Sequence, residues 1–215
     1  MRKFSTVVLL IGMATGALAQ GTVILQNQTG LVGQWASWSD STLISVPKNG
    51  AFIELIAAPA GTALSYPLGS HNASGFNPNY SSLSGFLAAN PGWAVAGAQA
   101  YPVAFGAGLF NCGTVTINNI AEGANADYFI IGWTGAFTSY DSAYATRAFI
   151  GASAIATTPT GDPLATPVPS LPVSLRYTFA GLMTPLLAIA PIPEPTSFAL
   201  AGLGLAALLV FRRRR

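Results

Sequence analysis

The sequence holds one cysteine, one histidine and very few charges. Cys112, alone, cannot close an intramolecular disulfide; beside Gly113 it reads as a small buried residue in a turn. His71 is far from Cys112 in sequence, a poor basis for a Cys–His nucleophile, and one of each is too few for a zinc site. Only 7% of residues are charged, against roughly 25% in an ordinary soluble domain. Six of the nine basic residues sit at the extremes: Arg2 and Lys3, then Arg212, Arg213, Arg214 and Arg215. Between them Lys48, Arg147 and Arg176 face Asp40, Glu54, Glu122, Asp127, Asp141 and Asp162. That mildly acidic body has no basic cluster to neutralise phosphates, so nucleic acid is not an expected partner.

What is abundant is apolar. Hydrophobic residues make up 51% of the 215, enough to bury a core and offset chain entropy. At the N-terminus, Arg2 and Lys3 precede the apolar run from Val7 to Met13, and Ala17-Leu18-Ala19 follows. A positive start, a short apolar stretch and a small-x-small close make a secretory signal peptide. Residues 1–19 are therefore expected to form a signal helix cut by signal peptidase between Ala19 and Gln20, with Ala17 and Ala19 fitting the peptidase. At the C-terminus, Pro193-Glu194-Pro195 precedes an apolar run from Ser197 to Phe211 and the four arginines. Fifteen helical residues span ~22 Å, short of the ~20 residues usual for a bilayer. Snorkelling by Arg212–Arg215 is the expected remedy, giving a transmembrane helix over 197–211 with the arginines as a membrane stop.

These last residues resemble the PEP-CTERM sorting signal of Gram-negative bacteria: Pro-Glu-Pro, apolar helix and basic cluster occur in that order. The resemblance implies recognition by an exosortase, a membrane-embedded cysteine protease, with Pro193, Glu194 and Pro195 as recognition residues of a substrate. It also implies delivery from a membrane tether to the cell surface or an extracellular matrix. Similar tails end some ice-binding proteins. Thr114-Val115-Thr116 would match one rung of a threonine array, but one rung is no array, and it reads as ordinary strand.

Between the ends, short strand-like runs alternate with turn-rich stretches. Strands are expected over 22–26, over 51–57 after the turn dipeptide Asn49-Gly50, over 114–120, over 127–133 with both faces apolar, and over the alternating 173–179. A short helix is expected over 139–146, capped by Ser139. Residues 69–91 read as a surface excursion, and the proline-rich 157–172 as extended and non-helical. The expected fold class is mainly β: an antiparallel, jelly-roll-like β-sandwich over 20–180, a linker over 181–192, and the sorting tail over 193–215. The body is also similar to small exported β-domains that precede PEP-CTERM tails, through its Gly-Thr-Val-Thr strand, its aromatic strand ending in Trp133 and its short tyrosine-containing helix.

No nucleophile elbow, phosphate loop or dinucleotide fingerprint occurs, and no enzyme activity or cofactor is expected. Trp35, Trp38 and Trp93 are the alternative handle: exposed rings on a β-sandwich bind sugars, which would make the body a module for extracellular polysaccharide. The plainer reading places them in the core. A hydrolase would need two facing carboxylates, for which Glu54 with Asp127 is the test case. Calcium would need Asp127, Glu122 and Asp141 to converge. Asn27, Asn72 and Asn79 begin N-glycosylation sequons, which at most mark surface loops.

Overall fold

The computed structural model describes residues 20–28, 31–37, 40–64, 71–72, 75–76, 82–163, 165–178 and 187–188. The expected signal helix and the sorting tail lie outside these. In chain order the elements are β1 (Gln20–Gln26), β2 (Gly33–Ser37), β3 (Asp40–Ser45), β4 (Ala51–Pro59), β5 (His71–Asn72), β6 (Gly75–Phe76) and α1 (Leu83–Ala89). Then follow β7 (Ala94–Pro102), β8 (Asn111–Ala121), β9 (Asn125–Thr134), α2 (Tyr140–Ala145), β10 (Phe149–Ala152), β11 (Ala156–Pro159), β12 (Val173–Ser174) and β13 (Leu187–Ala188).

Two sheets form the body. The smaller has the order β12-β1-β8; the larger runs β13-β10-β9-β4-β7, with β11 also on β9. β1 is antiparallel to β8 and parallel to β12, so the small sheet is mixed. Apolar alternation places β1: Val23 and Leu25 are fully buried while Thr22, Ile24 and Gln26 are half-buried. They meet Val115 and Ile117 of β8, and across the gap Ile53, Leu55 and Ala57 of β4 with Ala126, Tyr128 and Ile130 of β9. This is the core between the sheets.

A second core lies on the far side of the large sheet. Ile56 and Ala58 of β4, Phe129, Ile131 and Trp133 of β9, and Ile150 of β10 are covered there by Phe86 of α1 and by Tyr140 and Ala143 of α2. Phe86 meets Phe129 edge-on at 5.7 Å, and Tyr140 meets Trp133 likewise at 6.4 Å. With both faces covered, β9 buries every residue from Ala126 to Trp133, as its unbroken apolar run requires.

The fold is thus mainly β, but three layers deep and open, and this corrects two expectations. Among the described residues no closed barrel or jelly roll forms, because β1 takes β12 as a parallel neighbour and the large sheet spends its outer face on helices. Nor is the expected membrane-spanning helix supported. Residues 197–211 lie outside the described residues, and among the described residues no helix is long and apolar enough to cross a membrane. The physical reason was already arithmetic: fifteen apolar residues make ~22 Å of helix against a core of ~30 Å. The membrane tether expected of that helix, as architecture, as partner contact and as location, is withdrawn with it.

Local structure follows local chemistry. Ser82 and Ser139 cap α1 and α2, their hydroxyls accepting from the backbone N–H of Gly85 and Ser142. Asn49 takes a left-handed φ of 62° at the turn into β4. In β7 the register jumps from Tyr101 opposite Ile53 to Ala96 opposite Leu55, so residues 97–100 fall opposite Glu54. Gly97, at φ 86°, supplies the positive φ of this bulge. Between β10 and β11 Ser153 bridges a second irregularity: its N–H donates to the Ile130 carbonyl and its hydroxyl accepts from the Ile130 N–H, 2.8 and 2.9 Å. The strand expected over 173–179 ends at Ser174. Its hydroxyl accepts from the Arg176 N–H, and the Thr178 N–H donates to the Leu175 carbonyl, so a local turn replaces the ladder.

Candidate functional site

The C-terminal path is anchored twice before the sorting residues. Val173 and Ser174 pair with Val23 and Ile24, and the Leu175 N–H donates to the Ile24 carbonyl. Further on, β13 adds to the edge of the large sheet, Leu187 opposite Ile150 and Ala188 opposite Phe149. It also packs beside β2 of the β2–β3 hairpin. Pro193, Glu194, Pro195 and Arg212 to Arg215 lie outside the described residues, as do Ala17 and Ala19. Gln20, the expected first residue after the signal cut, opens β1 opposite Ala121. β13 was not expected: its residues lie in the stretch read as linker, and two residues carry no periodicity.

Two of the three expected tryptophans, Trp93 and Trp35, are described, and they stand in different settings. Trp93 is 4% exposed, packs at 5.2 Å on Phe129, and donates its indole N–H to the Ala63 carbonyl at 3.1 Å. Its face belongs to the outer core and is withdrawn from any ligand. Trp35 is half-buried on β2, opposite Leu43 of β3, which is 59% exposed. Trp38 lies outside the described residues.

Apart from Asp40, at the start of β3, the carboxylates separate into three places. Asp127 is buried at the start of β9, where Oδ2 accepts from the Gly61 N–H and Oδ1 from the Thr157 hydroxyl. Glu54 lies four ladder positions away, since Glu54 pairs with Ile131 and Asp127 with Ala58. At ~3.3 Å per residue this is about 13 Å along the strand, too far for the roughly 5–9.5 Å of a glycosidase pair. Glu54 instead senses the charge of Asp141 of α2. Burial first, and then the Asp141 charge, push the Glu54 carboxyl above its ordinary value. Asp141 in turn holds α1, accepting from the Leu83 N–H. Glu122 is on the far turn, where desolvation first, and then the neighbouring Asp162, raise its carboxyl too. Asp127, Glu122 and Asp141 therefore do not converge, and among the described residues no three His, Cys, Asp or Glu side chains are grouped to hold a metal ion.

Cys112 is half-buried against the inter-sheet core, and burial pushes its thiol up to about 12. His71 is in β5, opposite Phe76 of β6. Asn27 departs from the surface-loop reading of its sequon: it is buried, donating its amide to the Gly108 carbonyl and accepting from the Phe110 N–H at 2.7 Å.

No curated protein and no solved structure matches the chain. The PEP-CTERM protein-sorting motif matches residues 191–215, the stretch that holds Pro193-Glu194-Pro195 and the four arginines. Beyond the anchored strand β13 the chain therefore carries a PEP-CTERM sorting motif, the mark of an exported, sorted surface protein.

Proposed function

We propose that this chain is a non-catalytic surface or extracellular-matrix protein, delivered as the substrate of an exosortase-type protease that reads Pro193, Glu194 and Pro195. The observation that carries the reading is the sorting motif over 191–215. The body supports it by what its carboxylates do. Asp127 and Asp141 are engaged in holding loops and helices together, and the Glu54–Asp127 pair is stretched beyond reach of one substrate bond.

The test is the intact mass of the protein recovered from fractions of its native host. The expected species begins at Gln20, ends near residues 193–196 and is found at the surface or in the medium. A cell-retained species that still carries Phe211 and the arginines would overturn the sorting reading. Turnover by the purified protein on a broad hydrolase panel, abolished by one carboxylate substitution, would overturn the non-catalytic one.

A further inference from the structure

The expected signal cut leaves Gln20 as the first residue of the exported chain. A glutamine in that place carries both a nucleophile, its own α-amine, and an electrophile, the amide carbon of its side chain. The two belong to one residue and can meet in a small lactam ring, an encounter that needs no diffusion and has a high effective concentration. Ring closure requires that neither end be held elsewhere.

The structure meets that requirement at Gln20. The residue is exposed, and its side chain makes no hydrogen bond with the described residues. Gln26, at the other end of the same strand, is the contrast: its amide is tied to the Ser174 hydroxyl at 2.8 Å. The ladder with β8 is regular from Gly21 to Ile24, opposite Ile117 to Thr114, but between Gln20 and Gly21 it jumps from Ile117 to Ala121. Gln20 therefore stands beyond the regular pairing. Gly21 is already buried, with the Thr160 side chain 2.6 Å from where its Cβ would be. The body closes over the chain at residue 21 and leaves residue 20 outside, where its side chain can turn back on its own nitrogen.

We propose that Gln20 is a modification site, closed in the exported chain into an N-terminal pyroglutamyl lactam. The uncharged α-nitrogen attacks Cδ. An N–Cδ bond forms, the Cδ–Nε2 bond breaks, and the proton lost by the α-nitrogen leaves on Nε2 as ammonia, so the step consumes no oxidant, reductant or other reactant. An α-amine titrates at about 7.7–8.0, which keeps a share of it uncharged near neutrality. The product has no terminal positive charge and no free amine for an aminopeptidase to grip. This rests on the export part of the proposed function, the cut between Ala19 and Gln20.

The test is the mass of the N-terminal peptide of the full chain recovered from its native host. Collection in cold acid protonates the amine and stops further closure. The expected peptide begins at residue 20, weighs one ammonia less than its sequence, and loses that residue to pyroglutamyl aminopeptidase. Gln20→Ser, which offers no side-chain carbonyl to attack, should begin at the same residue with full mass and a free amine. A parental peptide that begins at Gln20 with full mass overturns the lactam and leaves the export reading standing. A start at any other residue overturns the export cut and the lactam with it. Loss of ammonia that persists in the serine variant lies elsewhere in the peptide and overturns the assignment to Gln20.

Discussion

The Asp141 carboxylate of α2 accepts a 2.6 Å hydrogen bond from the backbone N–H of Leu83, the first residue of α1. One side chain thus joins the two helices that cover the outer face of the large sheet. Neither helix has more than two turns, and seven- and six-residue helices do not persist alone. Their stability comes from Phe86 and Tyr140 docking on the sheet and from this link.

Asp141→Ala should therefore destabilise the protein by about 1 kcal/mol, the usual worth of a helix N-terminal partner. Hydrogen exchange at the amides of α1 should accelerate more than exchange in β9. Uniform acceleration across the protein would show that the bond does not hold α1 specifically.

Glu54 gives a pH signature. Its carboxyl is raised in the folded state, by burial and then by Asp141, so folding favours its protonated form. The stabilisation is complete below the ordinary glutamate value of about 4.5 and is lost as pH rises through the folded value. Glu54→Gln removes this slope. Denaturant melts of the two proteins should diverge with rising pH, the glutamine variant being the more stable at neutrality. Parallel curves would contradict the assignment.

Cys112 should be inert while the protein is folded. A thiol raised from 9.0 to about 12 carries about a thousandfold less thiolate than a free one at neutral pH. Alkylation by iodoacetamide, followed by mass, should be slow in the native protein and rapid in concentrated guanidinium chloride. Fast native labelling would place the thiol outside the packing of the inter-sheet core.

Gly161 is where the chain crosses between the sheets. Its N–H donates to the Thr22 carbonyl, and a Cβ there would lie 2.7 Å from the Cα of Pro172 and 2.8 Å from the carbonyl oxygen of Leu171. Those are backbone atoms with nowhere to turn. Gly161→Ala should cost about 1–3 kcal/mol, as overpacking does, and a thermal melt reads it directly. Gly61, with nothing near its missing Cβ, marks the contrast in space; its φ of 81° adds backbone strain of a different kind.

The residues that announced their structure were those whose local and tertiary demands agree. The apolar run at 127–133 became β9, buried on both sides, and Ser139 caps α2 over Tyr140–Ala145. β7 was silent because its Ala- and Gly-rich sequence shows no strong alternation and a bulge interrupts it. α1 was silent because Ser84 and Gly85 blur its helical pattern and only Phe86 is buried. Alternation misled at 173–179, where Ser174 and the turn at 175–178 replace the ladder, and Tyr177 points to solvent. For function the sorting residues were legible because they form a short contiguous motif. The effect of Asp141 on Glu54 was not, since it depends on how α2 folds back over the large sheet, against β9 and β10.

The pairing of β1 has a consequence in time. Gln20 waits for Ala121, and Val23 for both Val115 and Val173. At roughly 5–20 residues per second of synthesis, about 5–20 s pass before β8 exists to receive the first strand. Through that interval the small sheet has no way to close, and the strand at its centre stays without either of its ladder partners.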